Sequence, residues 1–247
     1  MFKNLFSRSN PSKSSTDFSS VMTDMHSHLI PGIDDGARTI EDSIQLVRKM
    51  HALGYTKLIT TPHIQAEFYK NTPEIIQSGL KILRKAIETE KIPVQVEAAA
   101  EYLVDDGFEE KMNSGNLLSF SDKYILIEMS YYSPHPNIKS LIFNLQCDGY
   151  KVIMAHPERY SYWFSDMGKF ADLKDRGVFF QVNAVSLAGF YPDPVKKFAE
   201  KLIDNGMIEF IGSDMHNLRY LEAMERSIFE KAMGRLMTSG KLLNNKL

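Results

Sequence analysis

The chain has 247 residues, 43% of them hydrophobic and 24% charged, which suits a globular protein with a sizeable core and excludes collagen-like, disulfide-stapled and wholly disordered compositions. Twenty-nine Lys plus Arg against 31 Asp plus Glu leave a formal net charge of -2, so no overall basic field exists to clamp nucleic acid or an anionic membrane. The single cysteine, Cys147, excludes an internal disulfide and a thiolate metal cluster, so a reducing cytoplasm is expected and any metal must be held by nitrogen and oxygen.

Residues 1–20 are rich in serine and carry Lys3, Arg8 and Lys13; they read as a solvated, disordered polar tail ahead of a single domain over 21–247. Neither a signal-peptide apolar stretch nor the roughly 18 consecutive apolar residues of a membrane helix is found. From residue 21 onward, short apolar runs alternate with segments whose apolar residues recur every three or four positions. The runs are 21–25, 57–61, 94–98, 124–128, 151–155, 178–182 and 208–212. The clearest helix is 39–53, where Ile40, Ile44 and Val47 share a face, Thr39 with Asp42 forms a capping-box pattern and Gly54 stops it. Helices are also expected over 73–90, 137–147, 192–205 and 220–237.

Seven strand-then-helix units without adjacent hairpins predict a parallel α/β architecture. Open sheet and closed barrel both satisfy this pattern. A barrel spreads its chemistry over the ends of many strands, whereas an open doubly wound sheet gathers it at one crevice. No glycine-rich phosphate loop is present to support the nucleotide-binding form of the open sheet.

Five of the seven histidines fall at or just past strand ends. His26 and His28 form an HxH pair whose side chains point the same way in extended backbone. Asp34 and Asp35 follow in IPGIDDGA. His63 follows the second run in TTPH, Glu101 follows the third, Glu128 ends the fourth, His156 follows the fifth, and Asp214 with His216 follow the seventh. Singly, each would be an ordinary structural or surface group; gathered at one mouth, they would repel or stay undersaturated unless cations lay among them. Nitrogen and oxygen ligands in this number suit two or three Mn, Fe or Zn ions bridged by a carboxylate. His51, inside a helix, and His135, between two prolines, read as structural.

Clustered ions favour hydrolysis. Arg159 and Arg219 stand beside expected ligands, where a guanidinium can grip phosphate oxygens, so a phosphate ester is expected over an amide. The aromatics Tyr131, Tyr132, Tyr160, Tyr162, Trp163 and Phe164 either roof the core or stack on an aromatic leaving group.

At these residues the sequence resembles a known family. DMHSHLIPGIDDGA at 24–37, TTPH, AAAEY, LIE, AHPERY and SDMHN are similar to the polymerase-and-histidinol-phosphatase (PHP) superfamily, and within it to the bacterial metal-dependent protein tyrosine phosphatases of capsular and exopolysaccharide synthesis. The resemblance implies an α/β fold of the distorted seven-stranded (β/α)7 TIM-like barrel type. It implies a Mn2+ site of two or three ions, with Fe, Co or Zn as alternatives, held by His26, His28, Asp35, His63, Glu101, Glu128, His156, Asp214 and His216, with Glu101 bridging. It further implies a metal-bridging hydroxide as nucleophile, so Cys147 has no covalent role, and Arg159 and Arg219 as phosphate contacts, although the loop after DMHN is shorter here than in the Gram-positive enzymes. The implied substrate is a phosphotyrosine protein, the C-terminal tail of a bacterial tyrosine kinase, and the implied location is the cytoplasm, with recruitment to the inner membrane by that kinase.

Two other readings use the same residues. A small-molecule phosphatase of the histidinol-phosphate kind would want long lids over a closed pocket, and the loops here are mostly short. A catalytically silent metal-binding or kinase-docking module would have no need of all nine ligand positions.

Overall fold

The structure is a computed structural model that describes residues 17–247. Residues 1–16, most of the expected tail, lie outside the described residues. Its last residues are already packed: the Phe18 N–H donates to the Leu53 carbonyl at 2.8 Å, and its ring is buried and stacks on Tyr55 at 5.1 Å between centroids.

Among the described residues there are nine strands: β1 (Thr23–Asp24), β2 (Lys57–Thr60), β3 (His63–Ile64), β4 (Gln95–Ala98), β5 (Glu101–Leu103), β6 (Tyr124–Glu128), β7 (Lys151–Ala155), β8 (Phe179–Asn183) and β9 (Phe210–Gly212). They form two sheets, ordered β1-β2-β4 and β3-β5-β6-β7-β8-β9, and every pairing is parallel. The count of nine strands corrects the seven expected from the apolar runs. Two of the seven apolar runs continue into a second short strand after a break, one at Thr61–Pro62 and one at Ala99–Ala100. Pro62 has no N–H to give the ladder, which accounts for the first break. The outer strands β1 and β9 touch past their ends: Ser27 bridges Met215, the His28 N–H donates to the Met215 carbonyl at 2.9 Å, and the Asp214 N–H donates to the His26 carbonyl at 2.8 Å.

Alternation along the strands divides the core. In β6, Leu126 belongs to an inner cluster with Met25, Ile59, Ala99, Phe120, Ile153, Ala155 and Phe210, while Ile125 and Ile127 join the outer layer. That outer layer packs against α1 (Ile40–Ala52), α2 (Pro73–Thr89), α3 (Phe108–Asn113), α4 (Ile138–Cys147), α5 (Met167–Asp175), α6 (Ala184–Leu187), α7 (Asp193–Asp204), α8 (Leu218–Ser227) and α9 (Lys231–Thr238). The period of two places Glu128 on the same face as Leu126, directly beyond the apolar plug.

The helix starts follow the sequence. The Thr39 side chain accepts from the Asp42 N–H and the Asp42 side chain accepts from the Thr39 N–H, completing the capping box of α1. In α2, Ile76, Leu80, Leu83 and Ile87 form one buried stripe. The segment 220–237 is two helices rather than one, because Glu230 takes extended backbone at φ -75°, ψ 136°. That break turns Ala232, Met233 and Leu236 onto the core, while Phe229 is left exposed.

Candidate metal centre

The strand ends deliver their polar residues to one spot. Glu101 opens β5 and Glu128 closes β6, both on the inner face above the plug; His63 opens β3 beside Glu101, with which it is in register. Extended continuation of β7 would turn His156 away from Ala155's inner face. Its left-handed backbone, φ 32° and ψ 57°, breaks that alternation, and its Nε2 lies 2.9 Å from Glu101 Oε1. Asp214 also takes positive φ, 52°. Such conformations cost a non-glycine residue of the order of 1–3 kcal/mol, so the surrounding contacts must hold them.

All nine expected ligands meet here. Atoms of His28, Asp35, His63 and His216 fall within 4.8 Å of one another, as do those of His26, His28 and Asp214, of His26, Glu101 and His156, and of His63, Glu101 and Glu128. Glu101 belongs to two of these groups and is central. Its Oε2 lies 3.2 Å from His26 Nε2, 3.2 Å from His63 Nδ1 and 3.6 Å from His28 Nε2. Yet this buried oxygen accepts no hydrogen bond, and the buried His63 Nδ1 makes none either. Three ring nitrogens converging on an unsatisfied buried carboxylate oxygen is an arrangement that a shared cation satisfies and neutral packing does not. The donor set fits a multinuclear site, with Asp35 facing both His63 (3.5 Å) and His216 (3.4 Å) at the exposed rim.

The electrostatics are extreme for the same reason. Burial opposes ionisation of Glu101 and Asp214, but the imidazoles outweigh it: His26 and His63 beside Glu101, and His26 and His216 beside Asp214, hold both carboxyls well below the usual range. Burial likewise disfavours a charged His26, but Glu101 and Asp214 push it up to about 9. Asp35, half out in solvent, is nevertheless held at about 2, burial being outweighed by His216 and His63. Apart from Arg159 near Asp214, the positive charge that the surrounding residues offer these carboxylates comes from protonated histidines.

Supporting residues are also visible. His28 Nδ1 bonds Asp34 Oδ2 at 2.8 Å, and the same carboxylate accepts the N–H groups of His63 and Gly36; Asp34 thus orients two ligands. Strand β8, from the one apolar run for which no ligand was expected, contributes Gln181 and Asn183, bonded to His26 and Asp214. Sequence reading passed over these amides, although Gln and Asn at alternate positions of an otherwise apolar FFQVN strand are a signal of an inward polar face.

The two arginines differ. Arg159 Nη1 lies 3.8 Å from Asp214 Oδ2, with its guanidinium between the rings of Tyr131 and Tyr191 at 4.1 and 4.5 Å from their centroids. Arg219 is exposed, lies 6.0 Å from the Phe190 ring and lines, with Asp35 and His216, a cavity of about 430 Å³ at the rim. Among the aromatics, Tyr160 is structural: fully buried, its hydroxyl accepts from the Met129 N–H and donates to the Ala155 carbonyl, both at 2.9 Å. His51 bonds the Tyr55 carbonyl through Nδ1 and His135 Nδ1 accepts the Asn137 N–H, so both make local structural bonds. Cys147 is exposed at the end of α4.

Comparison with known proteins agrees with this geometry. The tyrosine-protein phosphatase YwqE of Bacillus subtilis (strain 168) is 33% identical over 199 residues, 80% of this chain and 78% of that protein. The tyrosine-protein phosphatase CpsB of Streptococcus pneumoniae is 28% identical over 205 residues, 80% of this chain and 84% of its own length. A crystal structure from work on YwqE and CpsB as "unique metal-dependent tyrosine phosphatases" superposes with a TM-score of 0.79 at 32% identity, covering 86% of this chain and 88% of the other. Residues 22–236 match the family model described as "Capsular polysaccharide synthesis, CpsB/CapC", and the chain therefore belongs to the CpsB/CapC family.

Proposed function

We propose that this protein is a metal-dependent protein tyrosine phosphatase that hydrolyses phosphotyrosine on a bacterial tyrosine kinase controlling capsular or exopolysaccharide synthesis. The observation that carries the reading is the unsatisfied Glu101 Oε2 ringed by His26, His28 and His63, in a chain whose relatives are named tyrosine-protein phosphatases. The residues that would hold the ions are His26, His28, Asp35, His63, Glu101, Glu128, His156, Asp214 and His216, with Mn2+ as the expected metal. Bound there, the metal supplies a Lewis acid for the phosphoryl oxygens and a water acidified enough to attack at neutral pH. Arg159, already flanked by two rings and held off Asp214 at 3.8 Å, grips phosphoryl oxygens from beside the centre; Arg219 meets the substrate at the rim. The Tyr131 hydroxyl donates to Glu128 Oε2 at 3.2 Å and fixes that carboxylate.

The barrel belongs to the same proposal. We read the sheets as a distorted seven-stranded PHP-type barrel in a single phosphatase domain over 21–247, against which Phe18 also packs; counting β2 with β3 and β4 with β5 as one interrupted run each, and the backbone contacts between the ends of β1 and β9, support this reading. We place the protein in the cytoplasm, brought to the inner membrane by its kinase partner; no helix among the described residues is long and apolar enough to cross a membrane.

The test is phosphate release from a phosphotyrosine peptide, a phosphoserine peptide and histidinol phosphate by metal-free protein titrated with Mn2+. Mn-dependent release selective for phosphotyrosine and unaffected by alkylation of Cys147 is expected. Preference for histidinol phosphate would move the site to a small-molecule phosphatase, and no release from any substrate would leave a metal-binding or docking module.

A further inference from the structure

Beneath the ligands, four side chains form one directed hydrogen-bond chain. Asn183 Nδ2 donates to Asp214 Oδ2 at 2.7 Å. Gln181 Nε2 donates to Asn183 Oδ1 at 2.8 Å. Gln181 Oε1 faces His26 Nδ1 at 2.8 Å. The polarity has only one solution. An ionised carboxylate can only accept, so Asn183 must turn its amide NH2 to Asp214 and its oxygen to Gln181; Gln181 must then turn its NH2 to Asn183 and its oxygen to His26. Nδ1 of His26 is therefore an N–H whether the ring is charged or neutral, and the proton lost when metal binds comes from Nε2, which leaves there the lone pair a metal needs. That is the atom aimed at Glu101 Oε2 and, at 3.4 Å, at Asp214 Oδ1.

We propose that Gln181 and Asn183 are positioning residues that preset His26 and Asp214 for metal, fixing the ring's tautomer at one end and the carboxylate's free oxygen at the other. The proposal rests on the metal reading above. Three further observations support it. Both amides are fully buried, where an unsatisfied amide would be costly, so their orientations are locked. The backbone of Asn183 is pinned by its N–H to Glu158 Oε1 at 2.9 Å. Gly212 leaves room for the chain: a Cβ there would lie 2.7 Å from Gln181 Nε2 and 2.8 Å from His26 Cβ. The other histidine of the pair, His28, is oriented instead by the Asp34 carboxylate. One ligand thus has an anionic partner that raises its basicity, and the other a neutral one that sets direction without adding charge.

Binding of Mn2+ to metal-free protein, measured by competition with a chromophoric chelator, tests this without reference to turnover. Gln181→Leu and Asn183→Leu are each expected to weaken Mn2+ binding by about 10–100-fold. The double variant is expected to be no more than about threefold weaker than the worse single, because each amide is oriented by the other and breaking either loosens the whole chain. Singles within twofold of the parent protein, or losses that multiply in the double variant as independent packing defects would, overturn the proposal. If the leucine variants fail to fold, Asn183→Ser and Asn183→Ala form a size-matched pair. Serine keeps a hydroxyl that donates and accepts, so it is expected to hold Mn2+ more tightly than alanine; equal affinities overturn the proposal. Uptake of no metal by the parent protein would overturn the metal reading as well, whereas normal uptake with unchanged variants overturns the positioning roles alone.

Discussion

The two ends of the inner strand face are built on opposite terms. Below, Leu126, Ile153 and Phe210 fill the space between strands with dry, close-packed side chains. Toward the carboxyl ends of the strands, Glu101, Glu128 and His156 crowd polar and charged groups into an equally buried volume, beside backbone that includes the left-handed His156 and Asp214. The plug gains free energy from burial, while the mouth loses it to desolvation and strain. Stability is therefore concentrated in the apolar layer, and the cost of the chemistry is carried by it.

Two substitutions should separate these ends cleanly. Glu101→Gln keeps the shape of the central carboxylate but removes its charge. Phosphotyrosine hydrolysis is expected to fall by at least about 10³-fold, about 4 kcal/mol, with reduced metal content by elemental analysis and an unchanged far-ultraviolet circular dichroism spectrum. Turnover within tenfold of the parent protein would remove Glu101 from the centre. Leu126→Ala does the opposite: burial loss plus a cavity should cost about 2–5 kcal/mol of unfolding free energy in urea, with kcat at saturating Mn2+ reduced far less than in Glu101→Gln. Equal effects of both on activity would show that plug and mouth are not separable.

Metal removal and pH test the same contrast. In the metal-free protein His26 is pushed up to about 9 from an ordinary value near 6.5. The sign follows from linkage: its ion pairs with Glu101 and Asp214 stabilise the fold fully below that ordinary value, and the contribution is lost as pH rises through about 9. Metal-free protein is therefore expected to melt at a lower temperature at alkaline pH than near neutrality, and Mn2+ uptake at pH 7 should release protons, detectable by calorimetry in buffers of different ionisation enthalpy. A pH-independent melt with no proton release would contradict the assigned cluster.

How much of this was legible in the sequence follows the same division. The helices with strong periodicity and caps, α1 and α2, fall within a residue or two of their expected limits, because local chemistry decides them. Strands β6 and β7 match theirs exactly in register with the apolar runs. Of the extra strand breaks, the one at Pro62 had a local signal in the missing N–H that the reading of TTPH passed over, whereas the Ala99–Ala100 step was not legible, since it interrupts pairing only through partners distant in sequence. The break between α8 and α9 is likewise a tertiary decision about which face meets the core. Of the site, the charged residues stood out because their types are rare at strand ends. The neutral Gln181 and Asn183 did not, since amides carry no such alarm, and Asp34 was overshadowed by its neighbour Asp35 in the same motif.

The smallest expected effects lie at the rim, where the two arginines divide. Arg159 is mostly buried, fixed between two rings and close to Asp214, so its guanidinium is held in place before any substrate arrives, as the proposed phosphate contact requires. Arg159→Lys retains the charge but loses the planar fork, and should lower kcat/KM for phosphotyrosine peptide by about 10–100-fold. Arg219 is exposed, with its guanidinium 6.0 Å from the centroid of the Phe190 ring. An exposed guanidinium must be ordered when substrate arrives, which cancels most of its gain, so Arg219→Lys is expected to cost no more than about threefold. The ratio of the two effects, measured on one peptide at saturating Mn2+, reports how far burial rather than charge sets the grip on phosphate. An Arg219→Lys loss as large as that of Arg159→Lys would mean that the rim closes over the substrate and buries Arg219 in the complex.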